Sequence, residues 1–158
     1  KISTIFGATN PVSGSFYNFT TPEAMGVVGV FAPQKSSLLG VVQSLAPVLA
    51  AGNTAILVAS EKFPLPAISL SEVLATSDVP GGVVNILTGI TAELAPWMAS
   101  HMDVDAIDAS GLTPAQEKEA RLEGVENLKR IFAFKGDQTP QRVLAFMENK
   151  TVWHPIGI

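Results

Sequence analysis

The side chains of this sequence whose spacing could support metal chemistry are one histidine and two aspartates. His101, Asp103 and Asp105 stand at alternate positions. On a β-strand that spacing places three side chains on one face, within reach of a single ion. The same pattern is typical of the polar edge where a buried strand begins, and we favour that interpretation. We therefore predict no metal site.

Nucleophilic chemistry has little support either. The 158 residues contain no cysteine, which excludes a cysteine nucleophile, a thiolate zinc site and a disulfide framework within this sequence. Ser110 precedes Gly111, but no Gly-x-Ser-x-Gly turn surrounds it, and the histidines that could act as a base are His101 and His154. The glutamates on predicted helices are typical of solvated faces. We therefore predict no catalytic residue.

Charge and composition restrict the classes of partner. The net charge is −4 and the pI about 5.1, whereas nucleic-acid binding needs clustered lysine and arginine, so we expect no nucleic-acid partner. Residues 36–60 carry no charge, but Pro47 and the Gly52-Asn53 pair interrupt them, so we expect a buried helix and strand rather than a membrane span. The absence of cysteine fits a reducing compartment and predicts a cytoplasmic location.

The elements that would position a site follow from the alternation of two patterns. Short apolar, β-branched runs alternate with stretches of helical periodicity. We predict strands at residues 27–31, 54–58, 83–87, 104–107 and 131–134, and helices that begin near residues 36, 64, 91, 113 and 139. This alternation predicts an α/β fold, a doubly wound parallel sheet of Rossmann-like type. Ligands of such sheets bind beyond the carboxyl ends of the strands.

The two ends of the sequence differ from this middle part. Residues 1–22 are rich in turn residues and aromatics and predict an extended N-terminal arm. Residues 23–158 are predicted to form the α/β domain, and residues 151–158 to end it in extended form.

Four motifs occur in order between residues 23 and 89. They are Glu23-Ala-Met-Gly-Val-Val-Gly-Val-Phe-Ala-Pro33, Leu45-Ala-Pro-Val-Leu-Ala-Ala-Gly-Asn-Thr54, Val58-Ala-Ser-Glu61 and Val79-Pro-Gly-Gly-Val-Val-Asn-Ile-Leu-Thr-Gly89. Together they resemble the cofactor-binding domain of the aldehyde dehydrogenase superfamily, and the resemblance extends to about residue 130. Known members are much longer and add a catalytic domain that carries a nucleophilic cysteine.

The resemblance implies that residues 23–158 form a nucleotide-binding domain, with a site for NAD or NADP at the carboxyl ends of the strands. The positions it assigns to cofactor binding are Pro33, Gln34, Ser60, Glu61, Gly89 and Gly111. It places the Glu61 carboxylate where it would accept a hydrogen bond from a ribose hydroxyl. Backbone amides at the start of the helix near Thr113 are expected to attract an anion, because helix N-termini do so whatever their side chains.

Several positions depart from the pattern of the superfamily. Lys35 stands where the superfamily has the asparagine of its oxyanion hole, so the preorganised amide donor is lost. Val58 replaces a lysine that contacts the cofactor ribose, and Leu112 replaces a serine near the pyrophosphate. The general-base motif Glu-Leu-Gly-Gly has no counterpart after Arg130. We expect cofactor affinity to be weak or lost, at about 1 kcal/mol for each missing hydrogen bond.

Three interpretations follow. The first is a non-catalytic chain that associates with itself, as a homo-oligomer, or with a full-length dehydrogenase subunit, through residues 1–21 and 151–158. The second is a fragment of an active NAD(P)-dependent aldehyde dehydrogenase. The third is a stand-alone nucleotide-binding module, in which Glu61→Ala would weaken binding.

Overall fold

The structure is a computed structural model that describes residues 6–35, 38–134, 136 and 139–157. In these ranges the strands are β1 (Ala8–Asn10), β2 (Phe16–Ala24), β3 (Val27–Phe31), β4 (Thr54–Val58), β5 (Val84–Leu87), β6 (Ala106–Asp108), β7 (Arg130–Phe132) and β8 (Met147–Pro155). The helices are α1 (Leu38–Ala50), α2 (Leu65–Ala75), α3 (Thr91–Ser100), α4 (Pro114–Glu123) and α5 (Gln141–Leu144).

Strands β3 to β7 form a five-stranded parallel sheet. Its order is β5-β4-β3-β6-β7, so the chain first adds strands on one side of β3 and then on the other. Helices pack on both faces of this sheet. The predicted doubly wound parallel sheet is therefore confirmed. In such a fold the strand order reverses at one place, here between β3 and β6, and the crevice beyond the strand ends there is the usual ligand site.

Alternate residues of β3 serve the two halves of the core. Val28 and Val30 are fully buried in the cluster that includes residues of α1, α2 and α5. Phe31 is buried on the opposite face, in the cluster that includes residues of α3 and α4. Burying each such side chain contributes roughly 1.5–3 kcal/mol. Because both faces of β3 are covered, its sequence is apolar without alternation, which is what predicted a central strand.

The remaining strands form a separate antiparallel sheet, which we call the ribbon. Its order is β1-β2-β8. β2 pairs with β8 from Phe16, opposite Pro155, to Ala24, opposite Met147. Eight of the nine residues of β8 are exposed. The predicted arm is thus the first part of the ribbon; β2 runs past residue 22, and the division into residues 1–22 and 23–158 stays a prediction.

The ribbon joins the parallel sheet at the buried side chain of Asn53. Its Oδ1 accepts hydrogen bonds from the amides of Met25 (2.7 Å) and Gly26 (2.9 Å), where β2 leads into β3. Its Nδ2 donates to the carbonyls of Phe146 (2.8 Å), just before β8, and Val48 (3.2 Å) in α1. One side chain therefore fixes the bases of both long ribbon strands to the domain.

Three predicted strands differ from the observed ones at their ends, and the strand predicted at residues 83–87 is β5, which begins one residue later. The strand predicted at residues 104–107 is β6, which begins two residues later, and the one predicted at residues 131–134 is β7, which ends two residues earlier. Asp105 lies just before β6, where its Oδ2 accepts from the amide of Val27 (2.8 Å). The predicted start of the first helix near residue 36 lies outside the described residues.

Candidate functional site

The loops that follow β3 and β4 are joined at the carboxyl edge of the sheet by the side chain of Gln34. Its Oε1 accepts hydrogen bonds from the amide of Glu61 (2.9 Å) and the hydroxyl of Ser60 (3.3 Å). The hydroxyl of Ser60 in turn accepts from the amide of Phe63 (3.2 Å). The structure thus brings together three of the residues that the sequence assigned to a cofactor, and it ties them to one another.

Glu61 also connects this cluster to the loop after β5. Its Oε1 accepts a hydrogen bond from the amide of Thr91 (2.6 Å), the first residue of α3 and the second after Gly89. Thr91 lowers the pKa of the Glu61 carboxyl below its ordinary value, through its side chain and through its amide, and the hydrogen bond from the amide is the one that the geometry shows. A carboxylate beside a helix N-terminus is stabilising, because the aligned peptide dipoles leave partial positive charge there. Glu61 therefore caps α3.

Gly111 brings the loop after β6 against the loop after β3. A Cβ atom at Gly111 would lie 2.3 Å from the carbonyl oxygen of Ala32 and 2.5 Å from that of Phe31. Only a residue without a side chain permits this contact between two backbones. Pro33 follows Ala32 directly, so all six sequence-assigned residues lie along one edge of the sheet. Their role in binding a cofactor stays a prediction.

A buried ion pair, which sequence reasoning missed, lies at the same edge. Nη2 of Arg142 donates to Oδ2 of Asp108 (2.8 Å) and to the hydroxyl of Ser44 (3.1 Å), and both charged side chains are almost completely buried. The guanidinium also lies over the ring of Phe134, 4.7 Å from its centre. One signal was present in the sequence: Asp108 interrupts an otherwise apolar run at the end of a predicted strand.

The ion pair also organises the turn after β6. The amide of Ser110 donates to Oδ1 of Asp108 (2.9 Å). The hydroxyl of Ser110 accepts from the amide of Phe134 (2.9 Å). Ser110 is therefore engaged in holding the chain after β7, and the histidines His101 and His154 lie elsewhere, before β6 and in β8. This geometry gives Ser110 no base and favours a structural role.

The next helix has its own internal cap. Oε1 of Gln116 accepts from the amide of Thr113 (2.9 Å), while the Thr113 hydroxyl accepts from the amide of Gln116 (3.3 Å). Thr113 and Gln116 thus form a capping box at the predicted helix start, with Pro114 at the first helical position.

Of the three positions that depart from the superfamily pattern, two carry apolar side chains that pack in or against the core and one carries an exposed lysine. Val58 is buried in the core, and Leu112 packs against the same core cluster. Lys35 is exposed in the turn after β3. Val58 and Leu112 have no hydrogen-bonding group in their side chains, and Lys35 offers a flexible ammonium in place of a preorganised amide.

The metal interpretation gains no support. Asp105 is bonded to the amide of Val27, and Nδ1 of His101 accepts from the amide of Asp103 (3.2 Å), so these side chains serve the local turn. Across the described ranges, no group of three or more histidines, aspartates or glutamates is placed to hold an ion. Within the same ranges, no helix is long and apolar enough to cross a membrane.

Comparison with known proteins identifies the family. The sequence profile of the "Aldehyde dehydrogenase family" matches residues 1–152. The chain belongs to the aldehyde dehydrogenase family. It is 33% identical over 141 residues to human aldehyde dehydrogenase 1A1, a match that covers 89% of this chain and 28% of that protein. It is 34% identical over 141 residues to retinal dehydrogenase 2 of Taeniopygia guttata, which covers 89% of this chain and 27% of the relative. The chain thus spans little more than a quarter of these dehydrogenases.

Solved structures agree with the family assignment. The crystal structure of a "Putative Aldehyde Dehydrogenase" from Burkholderia cenocepacia superposes with a TM-score of 0.78 at 27% identity, over 84% of this chain and 28% of that one. PnpE of Pseudomonas sp. WBC-3 does so with a TM-score of 0.73 at 30% identity, over 82% of this chain and 26% of that one. PnpE has also been solved in complex with nicotinamide adenine dinucleotide.

A nicotinamide cofactor does not fit the donors of this aldehyde dehydrogenase family chain well. Phosphate sites at such edges use backbone amides at helix N-termini and turns. Here the amides of Thr91, Ser110 and Thr113 already donate to side chains of the same chain. Val58 and Leu112 add no hydrogen bond.

The capping role of Glu61 predicts a pH dependence. Because its folded-state pKa lies below the ordinary value of 4.5, Glu61 stabilises the fold fully above that pH, and this contribution is lost as the pH falls through the folded-state pKa. We expect Glu61→Gln to be destabilised at pH 7 by less than about 1 kcal/mol, since the site is exposed. Urea titrations of both proteins from pH 7 to below the ordinary pKa measure this difference, which should shrink with acidification. Glu93→Gln, a charge loss in the same helical turn, is the control, and a difference that grows with acidification would contradict the assignment.

Proposed function

We propose that this aldehyde dehydrogenase family chain is non-catalytic and acts through subunit association, either with itself or with a full-length dehydrogenase subunit. Support comes first from chemistry. The 158 residues supply no cysteine thiolate. Lys35, Val58 and Leu112 replace side chains that the family uses around the reacting groups and the cofactor.

The observation that carries the proposal is the exposed edge of the ribbon. β8 is paired with β2 on one side, and it is an edge strand of the ribbon, nine residues long. An edge strand leaves backbone donors and acceptors unpaired, and strands of other chains pair with such edges. Phe16 and Trp153, whose rings meet at 5.8 Å, place apolar surface along this edge, with Trp153 58% exposed. Backbone pairing and aromatic burial would then act together.

The compartment and the remaining partner classes belong to the same proposal. A net charge of −4 favours protein partners over nucleic acid. The lack of cysteine is compatible with the reducing cytoplasm, where we place the chain.

Association is tested by replacing one of the two tryptophans at a time. Trp153→Arg puts a charge on the ribbon edge, and we expect it to weaken self-association, or binding to a full-length dehydrogenase, by about tenfold or more, as hot-spot aromatics do. Trp97→Arg is the matched control, because Trp97 is 75% exposed on α3, away from the ribbon. Sedimentation analysis of both variants measures the effect. The proposal would be contradicted if the wild-type chain is monomeric and also does not bind a full-length dehydrogenase.

A second candidate, a fragment of an active dehydrogenase, is favoured by the length of the relatives. The chain covers 28% of human aldehyde dehydrogenase 1A1, so a larger protein could supply the remaining catalytic groups. The full gene sequence and an intact-mass measurement decide this. Turnover of an aldehyde and NAD(P)⁺ by the 158-residue chain alone would contradict the first proposal.

A further inference from the structure

Three backbone amides at the carboxyl edge of the sheet donate to side chains of the same chain. The amide of Thr91, at the start of α3, donates to Glu61 (2.6 Å). The amide of Ser110, in the turn after β6, donates to Asp108 (2.9 Å), and that of Thr113, before α4, to Gln116 (2.9 Å). Parallel α/β sheets present donors at these places to phosphate groups. Here two of the three acceptors are carboxylates.

The two carboxylates differ in how firmly they are held. Asp108 is fully buried and bonded to Arg142, which neutralises its charge and prevents the side chain from swinging away. Its hydrogen bond from Ser110 is therefore a fixed part of the fold. Glu61 lies at the surface and keeps its charge, because hydrogen bonds from Thr91 lower the pKa of its carboxyl. A phosphate at this edge would therefore find the amide of Ser110 already bonded to Asp108, and the Glu61 carboxylate bonded to the amide of Thr91.

The charge of Glu61 is large enough to matter for binding. A phosphate at the Thr91 amide would lie beside the Glu61 carboxylate, and like charges repel. A phosphate that displaced Glu61 would leave that carboxylate beside the phosphate and without the Thr91 amide. Both arrangements oppose the gain from the single hydrogen bond that the amide offers.

We propose that the carboxylates of Glu61 and Asp108 occupy phosphate-binding donors of this edge and exclude the pyrophosphate of a dinucleotide. Glu61 places a negative charge at the edge that repels a phosphate. Asp108, held by Arg142, occupies the amide of Ser110 in the turn after β6. This property is independent of subunit association. It reverses the expectation from the family resemblance, in which Glu61 holds the cofactor ribose and its removal weakens binding.

The sign of the Glu61→Ala effect separates the two roles. Titration calorimetry with NAD⁺, ADP and inorganic pyrophosphate should show wild-type dissociation constants above about 1 mM. Glu61→Ala should bind ADP and pyrophosphate about five- to tenfold more tightly than the wild type, because the Thr91 amide becomes free and a negative charge is removed. Glu93→Ala removes a charge from the same turn of α3 and should change these affinities by less than about twofold. Thermal unfolding checks that each variant remains folded.

Amide chemical shifts report on the two sites separately. In wild-type protein, pyrophosphate should leave the amide resonances of Thr91 and Ser110 unchanged. In Glu61→Ala the Thr91 resonance should move, while the Ser110 resonance should stay, because Asp108 still occupies it. The proposal is overturned if the wild type binds NAD⁺ below 1 mM and Glu61→Ala weakens that binding, as a ribose contact requires. It is equally overturned if Glu61→Ala gains no affinity, or if pyrophosphate shifts Ser110 in the wild type.

Discussion

Replacing Arg142 with methionine is expected to lower the free energy of unfolding by about 3–5 kcal/mol. The substitution keeps an unbranched apolar stem but leaves the carboxylate of Asp108 buried without a counter-charge. Ser44 loses its bond to the guanidinium, and Phe134 loses the cation over its ring. The destabilisation thus arises mainly from the stranded charge, not from lost attraction. Urea unfolding followed by circular dichroism at pH 7 measures it.

Two further variants separate this explanation from a general sensitivity of the fold. Asp108→Leu combined with Arg142→Met removes both charges, and we expect it to be more stable than Arg142→Met alone, because no buried charge remains. Arg121→Met breaks the exposed pair with Glu117 (2.7 Å) and should cost less than about 1 kcal/mol. The argument fails if Arg142→Met is no more damaging than Arg121→Met, or if the double variant is the least stable protein.

Asn53→Ala is expected to cost about 2–4 kcal/mol, the second large effect. Asn53 is 2% exposed and makes four hydrogen bonds, two as acceptor and two as donor. Alanine leaves the partly buried amides of Met25 and Gly26 and the buried carbonyl of Phe146 without this partner. A buried unsatisfied group costs roughly 1–3 kcal/mol, with partial relaxation. Chemical unfolding again gives the value.

The matched control for Asn53 is Asn85→Ala. Asn85 is exposed and donates to the carbonyl of Gly82 (2.8 Å), so water can replace the lost bond. We expect a cost below about 1 kcal/mol there. Amide exchange should also show that Asn53→Ala loosens β2 and β8 while β3 and β4 keep their protection. Equal stabilities of the two variants would mean that the ribbon is held by other contacts.

Local signals were sufficient to predict the parallel sheet. The uninterrupted apolar run of β3 can occur only where both faces are covered, and the Thr113 capping box fixes the start of α4 from adjacent residues alone. The ends of β6 and β7 were harder to predict from the sequence, because a strand of three residues begins and ends where a neighbouring strand offers hydrogen-bond partners. Pairing of β2 with β8 joins distant parts of the chain, and nothing local to either strand specifies it.

The candidate site shows the same division between local and long-range information. Motif order placed six residues along the carboxyl edge, because strand ends in a parallel sheet share that edge. The partners of those residues were not predictable. Glu61 bonds to Thr91, 30 positions further on, and Asp108 to Arg142, 34 positions further on. Such contacts depend on how helices lie against the sheet, which spacing within a motif does not encode. The packing of helices against the sheet therefore determines whether an assigned residue faces a ligand or another part of its own chain.

The route by which the ribbon is completed has a consequence for the order of folding. Each crossover of the parallel sheet joins strands close in sequence, whereas Thr20 of β2 meets Thr151 of β8 across 131 positions. Contacts between distant residues close the longest loops and form late, after shorter loops have brought the ends together. A partly folded chain would contain the parallel sheet, but β8 would not yet be paired with β2. Only molecules whose parallel sheet has already folded would then associate with another subunit. This order limits non-specific association during synthesis.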